Sequence, residues 1–341
     1  MATRWATSPG IALMGADAPS RVTAWARAAE RAGLGSAWIV EDYFHPGAYA
    51  LAAAAAAVTE HLAIGLGVVN PYTRHPALLA METAALAGIA PGRVVLGLGS
   101  SNRQWIEAQM GIPFKAPLGG LRECVAIVRR LLAGERVSVR GEVFTVDGVR
   151  LEWSPPEPVP VLLGVKGPKA LRLAGEIADG VHCAVLSSPE HVRRVRQTTG
   201  AGRPRFAVVA YVIVATSRDG RHARDAVRPL IARYLGFLHG QSILLDAGLG
   251  PDRTRPFREA LGGGAPAAHL VDDALIDALA VAGTPEHCRR QLARWAEAGL
   301  DAPIAVVPRD ADMLEQIALC GEILVPAWRS QLAGTKPLQP L

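Results

Sequence analysis

The chain of 341 residues has few cysteines, few aromatic rings and little charge, and each scarcity closes off a class of protein. Its four cysteines, Cys124, Cys183, Cys288 and Cys320, stand far apart with no C-x-x-C pair. Such spacing supplies neither the paired ligands of a zinc knuckle nor a disulfide framework, so buried free thiols are expected. Aromatic residues are 5% of the chain and charged residues 20%. The net charge of +5 comes mostly from scattered arginines with few aromatics interleaved, which is not the footprint of a nucleic-acid-binding surface. A modest positive field of this kind favours a phosphorylated or carboxylated small molecule. The longest apolar stretch, Tyr49 to Val58, is nearly all alanine and reaches about half the roughly 20 residues of a membrane-spanning helix. Met1 to Gly10 contains Arg4, Trp5 and Pro9 and no secretory apolar run, so a cytoplasmic protein with no membrane partner is expected.

What is present in quantity is aliphatic, glycine and proline. Half the residues are hydrophobic, and 35 glycines with 25 prolines punctuate buried elements with tight turns. Short aliphatic runs recur at Gly10–Met14, Ser36–Val40, Leu62–Val68, Arg93–Gly97, Val159–Leu163, Gly180–Ala184, Arg205–Val214 and Ala302–Val307, with amphipathic segments between them. Alternation of this kind is the signature of βαβ units on a parallel sheet, and eight strands suit an α/β fold of the (β/α)8 TIM-barrel type. Pro19 to Ala32 reads as the first helix, ending at Gly33, and Leu118 to Ala133 as a later one, ending at Gly134. The alternating stretch Val137 to Val146 has a turn in its middle and reads as a hairpin inserted after the fourth strand, at about 136–150. Residues 217–281 read as a long helical insertion before the eighth strand. Residues 1–330 then form one domain, followed by a flexible tail, 331–341.

In a barrel the reactive groups stand where strands end and loops begin, and four such junctions carry chemistry. After the second strand, Trp38-Ile-Val-Glu-Asp-Tyr-Phe-His45 sets two carboxylates before two aromatic rings. Glu41 or Asp42 could accept a hydrogen bond from a ligand or cap the loop, while Tyr43 and Phe44 read as pocket wall. After the third strand, Gly67 permits a backbone excursion that lets the chain press against a flat ring, and Asn70, Thr73, Arg74 and His75 project donors. His75 read alone is a helix-start residue and Arg74 a surface charge. After the fourth strand, Gly97 and Gly99 lead into Ser100, Ser101 and Asn102, small and neutral hydrogen-bonding groups that could admit and hold a ligand. This segment lacks the full G-x-G-x-x-G spacing, so a Rossmann dinucleotide site is not supported. After the fifth strand, Gly164-Val-Lys-Gly-Pro-Lys-Ala170 leaves backbone N–H groups at a helix start beside Lys166 and Lys169, which reads equally as a phosphate site or as an ordinary turn with solvated lysines.

Three strings together resemble the luciferase-like monooxygenase superfamily, and within it the deazaflavin-dependent branch typified by methylenetetrahydromethanopterin reductase. They are Gly67-Val-Val-Asn-Pro-Tyr-Thr-Arg-His-Pro-Ala77, Val95-Leu-Gly-Leu-Gly99 and Gly164-Val-Lys-Gly-Pro-Lys-Ala-Leu-Arg-Leu-Ala-Gly-Glu-Ile-Ala-Asp-Gly180. The resemblance implies a barrel with coenzyme F420 at the carboxyl ends of its strands. Gly67–Val68 matches the place where the family has a non-prolyl cis peptide that supports the ring. Asp42 matches a ring-proximal acid, Lys166, Gly167 and Pro168 match the phosphate loop, and Asn70, Gly99, Ser100, Ser101 and Gly164 are expected around the same cofactor. A homodimer formed through helices near the start of the barrel is likewise implied by the resemblance.

The sequence departs from the alcohol and sugar-phosphate dehydrogenases of that branch. They carry a histidine after the ring-proximal acid and a glutamate in the fourth-strand loop, where this chain has Tyr43 and Asn102. Without a proton acceptor, reduction of an activated C=C or C=N bond of a small molecule or peptide is favoured over oxidation of an alcohol. Asp42, Tyr43 and Asn102 are the candidate catalytic residues. The alternatives are an FMN-dependent monooxygenase on the same fold and a deazaflavin- or flavin-binding protein without catalytic function. A metal-dependent barrel hydrolase is disfavoured, because the nine histidines form no H-x-H at the first strand and no H-E-x-x-H.

Overall fold

Strands buried from end to end, each followed by a helix with one apolar stripe, build the structure, a computed structural model that describes residues 4–15, 17–200, 206–263, 267–308 and 311–332. In chain order the strands are β1 (Gly10–Leu13), β2 (Ser36–Ile39), β3 (Ala63–Val69), β4 (Val94–Leu98), β5 (Val137–Arg140), β6 (Thr145–Val149), β7 (Val161–Leu163), β8 (Gly180–Cys183), β9 (Ala207–Thr216), β10 (Ala280–Gly283) and β11 (Ala302–Val306). Strands β1, β2, β3, β4, β7, β8, β9 and β11 pair in parallel in that order, and β11 returns to β1 with Gly10 opposite Ile304. The result is a closed eight-stranded TIM barrel. Because helices cover its outside, a parallel sheet of this kind is apolar on both faces.

The helices are α1 (Arg4–Thr7), α2 (Val22–Arg31), α3 (Ala48–Ala57), α4 (Pro76–Ile89), α5 (Pro117–Leu132), α6 (Pro168–Ile177), α7 (Pro189–Thr199), α8 (Gly220–Phe237), α9 (Ser242–Asp246), α10 (Pro251–Gly262), α11 (Asp273–Leu279), α12 (Pro285–Glu297) and α13 (Met313–Leu332). Helix α2 shows why they form: Val22, Trp25, Ala26 and Ala29 are its buried residues and recur at helical spacing. It stops before Gly33, which takes φ +78 at no steric cost. Helix α7 opens on Pro189 with the Ser188 hydroxyl accepting the His191 N–H, so its first turn is capped by side chain and ring alike.

Alternation along the strands divides the core. Ile11, Leu13, Ile39 and Leu66 lie in the layer under the helices, whereas Trp38, Val95, Leu162 and Tyr211 belong to a separate cluster at the alternate, axis-facing positions. Trp38 is fully buried, and its indole N–H donates to Ser36 Oγ at 3.0 Å. It fits because position 65 is glycine, where a Cβ would stand 2.4 Å from the indole ring.

All eight expected barrel strands are present, with ends moved by a residue or two; Arg205 lies outside the described residues. Residues 137–149 pair as the antiparallel β5–β6 hairpin. The stretch 217–281 is not purely helical as read: it ends on β10, which runs beside the last part of β9 with Ala280 opposite Ile213. Four residues, Ala-Val-Ala-Gly, that follow a helix directly have no periodicity of their own to betray a strand. Of the expected tail, residues 333–341 lie outside the described residues.

Candidate active site

At the carboxyl end of β3 the ladder with β4 breaks register between Leu66 and Val69, and the Gly67–Val68 peptide is cis. Val68 is half-buried there, its side chain in a trough that three glycines keep open. A Cβ would stand 3.0 Å from Val68 Cγ1 at Gly97, 2.7 Å from Cγ2 at Gly99 and 2.9 Å from Cγ1 at Gly164. The Gly67 carbonyl accepts the Tyr211 O–H at 2.6 Å. Behind it His182 is fully enclosed, 4.7 Å from the Trp38 ring and 4.3 Å, edge-on, from Tyr211. Burial pushes the His182 imidazole down to about 3, so it is neutral, and its Nε2 has no hydrogen-bond partner. Burial, and next the charge of Asp42, raises the Tyr211 phenol well above its ordinary range. This floor, His182 and Tyr211, is uncharged.

The two carboxylates after β2 separate into different tasks. Glu41, with its side chain only 5% exposed, pairs with Arg74 at 2.5 Å and accepts the Ala48 N–H at 3.2 Å, capping α3. Arg74 also reaches Glu82 at 3.1 Å, so it ties loop to helix rather than serving as the surface charge it resembles in sequence. Asp42 is half-buried, and its charge acts on Tyr211. His75 caps α4, its Nδ1 accepting the Ala77 N–H at 3.2 Å.

Tyr43, Asn70 and Asn102 are committed to holding loops. The Tyr43 hydroxyl meets Thr73 Oγ1 at 3.1 Å and accepts from the Asn70 amide, while Asn70 Oδ1 accepts the N–H groups of Tyr72 and Thr73 at 2.9 and 3.0 Å. Burial raises the Tyr43 phenol above its usual range. Asn102 Oδ1 accepts the Trp105 N–H at 3.0 Å and starts the π-helical segment Gln104–Gln109. Between them Ser101, at φ +61, buries a hydroxyl with no partner, and Ser100 Oγ lies 3.5 Å from the Ser101 carbonyl.

After β7, Gly167 is the N-cap of α6 and has no side chain to satisfy the helix's first N–H groups. Lys166 makes no ion pair among the described residues, and burial lowers its ammonium pKa. Free N–H groups, a favourable dipole and an uncompensated cation together suit an anion; Lys169 is exposed and stands outside this arrangement. The structure thus brings Asp42, Val68, Ser101 and the Lys166 loop to one end of the barrel. Nothing in the sequence marks His182, Trp105, Tyr211 or Phe237. Trp105 joins Tyr43 at 5.6 Å and Phe237 at 6.0 Å, and Tyr43 meets Phe44 at 5.9 Å, forming an aromatic rim from three separate segments, the loop after β2, the π-helical segment and the end of α8. Isolated aromatics have no local pattern that could announce such a rim.

All four cysteines are buried and free. Among the described residues no group of three or more His, Cys, Asp and Glu could hold a metal ion, and no helix is long and apolar enough to cross a membrane.

The chain is similar to several known proteins. The 5,10-methylenetetrahydromethanopterin reductase of Archaeoglobus fulgidus is 31% identical over 315 residues, covering 89% of this chain and 94% of that protein. An F420-dependent glucose-6-phosphate dehydrogenase of Beutenbergia cavernae is 37% identical over 178 residues, 49% of this chain and 53% of that one. Among solved structures, the coenzyme F420 dependent tetrahydromethanopterin reductase of Methanopyrus kandleri superposes with a TM-score of 0.85 at 26% identity, over 94% of this chain and 99% of that one. The family model described as luciferase-like monooxygenase matches residues 2–302, and the chain belongs to that family.

Proposed function

We propose that the protein is a reductase that uses reduced coenzyme F420 to reduce an activated C=C or C=N bond of a small organic or peptide substrate. The residues present fit the cofactor: three glycines seat the Val68 side chain so that it can back a ring, Ser101 offers a buried hydroxyl without a partner, and Lys166 is a cation without a counter-charge among the described residues. Val68 and Gly67 would back the ring, with Asp42, Asn70, Gly99, Ser100 and Ser101 around it, and Gly164, Lys166, Gly167 and Pro168 would hold the phosphate. When bound, F420 supplies the hydride.

The observation that carries the direction of reaction is the pair Tyr43 and Asn102. Neither is a proton acceptor near neutral pH: the phenol is raised above its usual range and already shared with Asn70 and Thr73, and the carboxamide oxygen is used by Trp105. Alcohol oxidation needs a base at such a position, whereas addition of hydride to a polarised double bond needs chiefly alignment, the proton following from water. The aromatic rim of Phe44, Trp105 and Phe237 would hold an apolar substrate over the site. The test is titration of apoprotein with oxidised F420, FMN and NADPH, followed by oxidation of reduced F420 in the presence of unsaturated compounds and reduction of F420 by alcohols. Binding of F420 and turnover with the unsaturated set alone are expected. Preferred FMN binding with oxygen uptake would make the protein a flavin monooxygenase, and turnover with alcohols would overturn the direction.

A further inference from the structure

Helix α9, from the insertion between β9 and β10, bridges the loop after β7 and the first turn of α7. Ser242 donates from Oγ to the Lys166 carbonyl at 3.2 Å, and Asp246 meets His191 Nδ1 at 2.8 Å. Four residues apart on a helix, Ser242 and Asp246 stand on one face, so Lys166 and His191 lie side by side along it. His191 has a completely buried side chain, and its Nε2 has no hydrogen-bond partner. The charged groups acting on the ring are Lys166 from the β7–α6 loop, Arg194 from α7 itself and Asp246 from α9. Two polar groups, one half-buried and one buried, are therefore left wanting at neighbouring places: among the described residues, a lysine with no ion pair and an imidazole nitrogen with no partner.

The geometry points to His191 as a second side-chain ligand of the anion site made by Lys166 and the amino end of α6, with Asp246 holding the ring so that Nε2 donates to the bound phosphate. The identification of that phosphate as the cofactor's rests on the function proposed above. A consequence follows from the tautomers. An ionised Asp246 can only accept, so it fixes the proton on Nδ1, and a neutral ring then presents a lone pair at Nε2. A lone pair cannot donate to an anion, so the ring takes up a proton as the anion enters. In the free protein the imidazolium is disfavoured by burial, although Asp246 opposes this, and by the charges of Lys166 and Arg194. The incoming anion supplies the missing counter-charge.

The test is calorimetric titration of the full chain with oxidised F420 in two buffers of different ionisation enthalpy, with the dephosphorylated deazaflavin chromophore as control. The phosphodiester of F420 stays singly charged and the dephosphorylated chromophore carries the same titrating ring hydroxyl, so proton uptake in excess of that control reports the protein. Expected are uptake of up to one proton and affinity that falls by up to about tenfold per pH unit where the ring titrates. His191→Phe should weaken F420 binding by about 10- to 100-fold and abolish the uptake, as for loss of a hydrogen bond to a charged group. His191→Gln should recover part of the affinity, since an amide donates without titrating, but none of the uptake. Binding of the dephosphorylated chromophore should be unchanged in both. Absence of proton uptake in the unaltered protein, or equal weakening of F420 and the dephosphorylated chromophore by His191→Phe, overturns the assignment. If F420 does not bind at all, the functional proposal fails instead, and inorganic phosphate followed by the His191 ring-nitrogen NMR shifts decides this one: Nε2 must move to its protonated position on phosphate addition.

Discussion

Replacing Gly99 by alanine separates the trough under Val68 from the barrel around it. The new methyl would stand 2.7 Å from Val68 Cγ2, about 0.8 Å inside the optimal carbon–carbon separation of about 3.5 Å. Val68 cannot rotate away, because its other methyl already faces Gly97 and Gly164. The backbone must therefore carry Val68 toward the mouth of the barrel. Overpacking of this kind costs about 1–3 kcal/mol, a fall of a few degrees in Tm, and a shift near 1 Å in a reacting group lowers rates by about 100-fold. Gly97→Ala is the control: its methyl would meet the Leu66 carbonyl oxygen at 2.2 Å, a backbone atom that cannot step aside. Thermal unfolding and F420 titration of the two variants side by side should show Gly97→Ala losing far more stability, and Gly99→Ala losing cofactor affinity out of proportion to its Tm. If Gly99→Ala binds F420 as the unaltered protein does, Val68 is not the surface against which the ring rests.

Two further perturbations test the interior. His182 sits at about 3 in the folded protein against 6.5 for an ordinary histidine, through burial, so its contribution to stability is full above about pH 6.5 and is lost as pH falls from there toward 3. The loss is at most about 1.4 kcal/mol per pH unit, so Tm measured from about pH 8 down to 5 should fall more steeply for the unaltered chain than for His182→Asn; parallel curves would contradict this. Arg74→Met should cost about 3 kcal/mol by leaving Glu41, 5% exposed, without a counter-charge, and adding Glu41→Gln should restore much of it. Denaturant unfolding of the single and double variants reads both values, and strict additivity would mean that the pair contributes nothing.

Barrel class and strand positions were legible because they depend on local pattern. Eight aliphatic runs with helical segments between them leave few other topologies, and Gly33 and Gly134 mark helix ends through the freedom of their own backbones. The hairpin at 137–149 was legible for the same reason, since its turn lies within the segment itself. Strand β10 was not, because four small apolar residues look alike in helix and strand until a neighbour pairs with them.

The site shows the same division more sharply. Spacing alone marked Gly67 and the glycines after β4 as a place where a flat ring could approach, and left Gly164 to Pro168 equally an anion site or an ordinary turn, because glycine and helix-start chemistry act over a few residues. Which of the two adjacent carboxylates Arg74 holds was settled only in three dimensions: Arg74, 33 residues beyond Glu41, pairs with that one. Tyr211 reaches the Gly67 carbonyl across 144 residues, and Asp246 reaches His191 across 55. A hydrogen bond needs its partner within about 3 Å and in line, and no periodicity along a chain encodes that meeting. The sequence determined the barrel and the glycine-lined loops at its mouth; only the tertiary structure decided which polar groups are consumed in holding those loops.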